Sequence, residues 1–84
     1  MKVYIVSRTN APFLAPEIIG VHQVPEYADR QINDLIDEDW SFISTNAEDM
    51  KDLVDLLPGY IGYREWASPD GNDIVSEETW EVQY

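Results

Sequence analysis

Four carboxylates stand within the seven residues Asp34–Trp40, DLIDEDW, and a second dense run follows at 47–57, AEDMKDLVDLL. Carboxylates at this density can do one of three things. A pair can perform acid–base catalysis if burial raises one pKa. A cluster can chelate a hard cation. An exposed array can present negative charge to a basic partner.

The first two readings find little support. A catalytic pair needs a buried member, and these carboxylates fall on faces expected to be exposed. His22 is the single histidine and has no Ser or Cys grammar around it, so a structural role is the stronger reading. GYIG at 59–62 lacks the Lys and the following helix of a phosphate loop. DGNDIVSEE starts like a calcium loop with Asp70 and Asn72. It then places Ile74 and Val75 where a ligand and a glycine belong, so a hairpin turn is the better reading. No cofactor and no metal site is expected, and the chain reads as non-enzymatic.

Charge and composition sharpen the third reading. Seventeen acidic against five basic residues give a net charge of −12. Such a balance opposes direct contact with nucleic acid or an anionic membrane, where each phosphate calls for Lys or Arg. It favours a basic partner. A hydrophobic content of 44% over 84 residues argues for a single packed domain, residues 1–84. No apolar run approaches the length of a membrane span, and MKVYIVS is too short for a signal-peptide core. The absence of cysteine excludes disulfides and thiolate chemistry and fits a cytoplasmic setting.

The elements that must position these charges follow from periodicity. Lys2–Arg8, apolar on both faces, reads as a central strand, and the proline-bearing TNAPFLAP as a loop. Glu17–Val24 reads as a second strand in which Gly20 marks a bulge or a close approach. Pro25 opens helix one, expected over Glu26–Asp39, with Ala28, Ile32, Leu35 and Ile36 at helical spacing and Trp40 continuing it. SFIS is a connector or a brief strand. Thr45 or Asn46 caps helix two, whose stripe is Met50, Leu53, Val54 and Leu57, and Pro58-Gly59 ends it.

Residues 60–84 form a hairpin around SPDG. Setting Ser68 opposite Asn72 puts Tyr60, Trp66, Ile74, Trp80, Val82 and Tyr84 on a core face. Glu65, Asp73, Glu77 and Glu81 then share the outer face with Ile61, Tyr63, Val75 and Thr79. The expected architecture is α+β: a mostly antiparallel sheet, made of two N-terminal strands and the C-terminal hairpin, with two amphipathic helices on one face.

On those helices Asp34, Asp37 and Glu38 fall at i, i+3 and i+4, and Glu48, Asp52 and Asp55 at i, i+4 and i+7. Like-charge pairs at this spacing cost an isolated helix roughly 0.2–0.5 kcal/mol each. Glu26, Asp29, Glu48 and Asp49 are explained by the helix dipole, which favours anions in a first turn. Asp34, Asp37, Glu38, Asp39, Asp52 and Asp55 are not, and only Arg30 and Lys51 stand near to compensate them. Repulsion kept without local benefit suggests a use in binding.

In size and charge the chain resembles the small acidic inhibitors of nucleic-acid-handling proteins: phage DNA mimics, anti-CRISPR and anti-restriction proteins, and acidic immunity proteins. The likeness covers bulk properties of the whole chain and no family motif. It implies that carboxylates mimic phosphates and occupy the basic channel of a nuclease or of a CRISPR or restriction component. The expected contact residues are Asp34, Asp37, Glu38, Asp39, Glu48, Asp52 and Asp55. Glu65, Glu77 and Glu81 form a second patch, and Tyr63 on the hairpin face and Phe13-Leu14 in the proline-flanked loop are the expected apolar anchors. The rival reading is a general protein-interaction or scaffold module, homo-oligomeric through exposed aromatics, whose acidity serves solubility alone.

Overall fold

The structure, a computed structural model, describes residues 1–10, 15–44 and 59–82. These form one antiparallel sheet of five strands, β1 (Lys2–Thr9), β2 (Glu17–His22), β3 (Ser41–Ser44), β4 (Tyr60–Ala67) and β5 (Ile74–Glu81). Among the described residues there is a single helix, α1 (Pro25–Leu35), which joins β2 to β3. The strand order is β2-β1-β5-β4-β3, so β5 is the middle strand and β1 lies between β2 and β5.

This overturns the expected α+β domain with two helices. The described residues are mostly β, with five strands of four to eight residues against one helix of 11. SFIS is a true strand, pairing with β4 from Ser41↔Ala67 to Ser44↔Glu65. Helix two, with Glu48, Asp52 and Asp55, lies outside the described residues, as do Phe13 and Leu14.

Helix one also stops short of its expected end. Pro25 sits in its first turn, where a missing N–H costs nothing. Ile36 leaves helical geometry (φ −98°, ψ 150°), although its N–H still bonds to the Ile32 carbonyl at 3.0 Å. Three acidic residues follow, two of them aspartates of low helix propensity, and the negative end of the dipole repels all three. Asp37, Glu38 and Asp39 are therefore not helical, and the shared helix face expected for Asp34, Asp37 and Glu38 does not form.

The hairpin closes one residue out of the expected phase. Arg64↔Glu77, Glu65↔Ser76 and Trp66↔Val75 are the pairs, and only Tyr60↔Trp80, beyond an irregularity at Ile61, keeps the expected partner. The turn itself explains the slip. Asp73 N donates to the Ser68 hydroxyl at 3.1 Å and Ser68 N to the Asp73 carbonyl at 2.9 Å, so the loop is one residue longer than Pro69–Gly71. Asp70 organises it, accepting the Ser68 hydroxyl at 2.5 Å and the Asn72 N–H at 3.0 Å. These bonds, the Ser68 hydroxyl first, hold the Asp70 carboxyl below its ordinary pKa.

Cross-strand partners share a face, so the registers divide the sheet into rows. Tyr4–Thr79–Gly62, Val6–Glu77–Arg64 and Arg8–Val75–Trp66 face α1. Ile5–Glu78–Tyr63, Ser7–Ser76–Glu65 and Thr9–Ile74–Ala67 face away. The core lies under the helix, where Val6, Ala28, Ile32 and Val75 cluster and Tyr4, Ile19, Leu35, Ile36, Trp40 and Trp66 pack around them. Burying a Val or Ile stabilises by roughly 1.5–3 kcal/mol, so this small set anchors α1 on the sheet.

Candidate partner-binding surface

Asp34 occupies the last turn of α1, and Asp37, Glu38 and Asp39 follow it. All four are exposed. Their outward aim has a local cause. Trp40 N donates to the Asp37 carbonyl at 3.1 Å, closing a tight turn with Glu38 and Asp39 at its tip. Ile36 on one side and Trp40 on the other pack against the core. The apolar residues hold the ends of the segment down, and the carboxylates between them face outward.

Among the described residues none of these four carboxylates has an ion pair, and the last turn of α1 carries no basic residue. Four other acids are neutralised locally. Glu81 meets the N-terminal ammonium at 3.1 Å, Asp73 lies 3.9 Å from Arg8, and Asp29 and Glu77 share Arg64. Among the described residues Glu17, Glu26, Glu65, Asp70 and Glu78 also have no ion pair, but they are spread over the fold, whereas Asp34, Asp37, Glu38 and Asp39 stand within six residues at the turn that leads into β3.

The second expected patch is not assembled. Glu65 and Glu77 lie on opposite faces of the sheet, and Glu81 sits near its end beside Met1. Glu77 is only 3% exposed, under α1, and not on the outer face. Its charge is matched there by Arg64, which donates from Nε to Oε1 at 3.0 Å and from Nη2 to Oε2 at 2.9 Å. The same guanidinium donates to Asp29 of α1 at 2.7 Å and lies 5.1 Å from the Trp66 ring centroid. The Glu77 bonds, ahead of all other causes, raise the Arg64 pKa.

Tyr63 shares the outer face with Glu65, half-buried. Burial first and the neighbouring Glu65 charge second push its phenol up to about 12. Glu65 and Ser76 are the polar neighbours of its hydroxyl on this face.

The apolar ends of the sheet escape the periodicity reading. Phe42 and Ile43 on β3 are 54% and 52% exposed, and Ile18 and Val21 on β2 are 62% and 61% exposed. At the β2 end Gln31 Nε2 donates to the Ile19 carbonyl at 3.0 Å, which leaves its Oε1 to accept from His22 Nε2 at 2.6 Å. His22 therefore carries its proton on Nε2 and has a structural bond to the helix. The signal for these ends is an apolar residue beside Glu17 or Ser41 at a strand with one neighbour, which requires the strand order to recognise.

Among the described residues no helix is long and apolar enough to cross a membrane. Comparison with protein-family models, with curated proteins and with solved structures gives no match for this chain.

Proposed function

We propose that the chain is a non-enzymatic binding protein that seats its acidic turn on a basic surface of a cytoplasmic nucleic-acid-binding protein, excluding the nucleic acid. One observation carries the reading: Asp34, Asp37, Glu38 and Asp39 are exposed together without an ion pair among the described residues. Four carboxylates on a segment pinned by Ile36 and Trp40 resemble a short stretch of phosphates in charge and in rigidity. A basic channel evolved to hold phosphates would gain steering and charge-assisted bonds from them. Glu65 and Glu81 add to the anionic field, and Glu77 serves the fold.

The test is capture by the immobilised protein from nuclease-treated host lysate, followed by elution with duplex DNA. The reading expects nucleic-acid-binding proteins to be retained at low salt and released by DNA. Retention that DNA leaves untouched would contradict it.

A second reading, a scaffold module, is favoured by the exposed apolar side chains at both ends of the sheet.

A further inference from the structure

We propose that the chain pairs with a second copy of itself along β2, antiparallel and about a twofold axis, so that the two sheets become continuous. This goes beyond the acidic-turn reading and stands independently of it.

Among the described residues β2 ends the sheet, with β1 as its single neighbour, and an edge strand presents unpaired backbone groups to any strand that can match it. What it presents is set by an irregularity. Val6 pairs with Gly20 and Ser7 with Ile18, so Ile19 is an extra residue in β2. Without it Ile18 and Val21 would point to opposite faces. With it both lie on the face away from α1, beside Ser7 and Ile5, and both are more than half exposed. Glu17 and His22 lie together on the helix side, opposite Arg8 and Tyr4.

The strand is consequently complementary to itself. Place the axis between Ile19 and Gly20. Ile18 then faces Val21 of the second copy, and Glu17 faces the second copy's His22. Ile19 faces Gly20, which has no side chain of its own and lies beneath Gln31 and His22 of the same copy. Every pair falls on one face, as an isologous contact demands.

Charge selects this end over the other. Arg8 pairs across from Glu17, and Arg30 lies over the Tyr27 ring at 5.9 Å on the adjacent helix. The acidic turn leads into β3, the opposite end of the sheet. Beside β2, Arg30 lines an open groove together with His22 and Asp34, so a cation stands near the Asp34 carboxylate at this end, whereas β3 itself, SFIS, carries no basic residue. The net charge of −12 still opposes association, so salt should strengthen the dimer by screening. Salt weakens contact with a basic partner, which makes the two proposals separable.

Sedimentation velocity of the full chain across a concentration series, at low and high salt, tests the proposal. The expected result is a monomer–dimer equilibrium that shifts toward dimer with salt. V21K and I18K, each at an exposed site, should remain monomeric with an unchanged circular dichroism spectrum, and I43K on β3 should dimerise like the wild type. The register is tested separately, because the chain has no native cysteine. I18C mixed with V21C should form a disulfide dimer on oxidation, and either variant alone should not. A wild type monomeric throughout, a dimer that survives V21K and I18K, or equal cross-linking of the single variants would overturn it.

Discussion

Arg64 and Glu77 face each other across β4 and β5 in a two-pronged ion pair, Nε and Nη2 lying 3.0 and 2.9 Å from the two carboxylate oxygens. The carboxylate is buried under α1, while the guanidinium remains about a third exposed. This pair permits the register that the hairpin adopts, since a buried Glu77 without a cation would be prohibitive.

Removing one partner should therefore cost far more than removing both. R64M leaves the carboxylate buried and uncompensated, and should destabilise by about 3 kcal/mol. The double variant R64M/E77L fills the same space with apolar atoms and should recover most of that loss. Urea unfolding of the two single variants, the double variant and the wild type measures the coupling. Additive losses would show that the pair contributes nothing as a pair.

Gly59 and Gly71 both have positive φ, 94° and 75°, but differ in surroundings. A Cβ on Gly59 would stand 2.6 Å from the Glu81 carbonyl oxygen, whereas one on Gly71 meets nothing within 4 Å. G71A should cost about 1 kcal/mol, the price of the left-handed backbone alone. G59A should cost more than twice that, because Glu81 N also bonds the Gly59 carbonyl at 2.6 Å and the strand end cannot yield freely. Chemical denaturation of both variants checks the ratio.

Tyr63 sets an alkaline limit. Its phenol titrates near 10.0 when unfolded and is pushed up to about 12 in the fold. The folded state then holds the proton more tightly, so stability is intact below pH 10.0 and declines as pH rises toward about 12. Tyr60, also raised, chiefly by burial, acts in the same direction. Y63F should flatten the decline while leaving stability near neutrality little changed, and unfolding curves on either side of pH 10.0 measure it.

The strands at Lys2, Glu17 and either side of SPDG are legible because their β-branched and aromatic runs are bounded by Pro, Asn and Gly. The hairpin phase is not legible. Placing Glu65, Glu77, Tyr63 and Val75 together outward assumes that a carboxylate belongs in water, and Arg64, read alone, does not announce that it will accompany Glu77 inward. The helix end illustrates the same gap: Ile36 and Trp40 continue the apolar spacing, so periodicity extends α1 through residues that its dipole rejects. The exposure of Asp34, Asp37, Glu38 and Asp39 is legible, and survives the loss of their helical face because flanking core residues enforce it. The role of Ile19 as an extra residue, which sets what β2 shows to its surroundings, depends on pairing with β1 and has no signature in EIIGVH itself.

The central claim is that the acidic turn is a binding surface, and isosteric neutralisation tests it most directly. In D34N/D37N/E38Q/D39N the shape is kept and the charge removed. Because Asp34 opposes the dipole in the last turn of α1, the variant should fold at least as stably, by up to roughly 0.3–1 kcal/mol. Affinity for the captured partner, measured over a salt series for both proteins, is the deciding quantity. The account predicts that the wild type binds at low salt with affinity falling steeply as salt rises, and that the neutralised protein binds little at any salt. Equal affinities with the same salt dependence would contradict it.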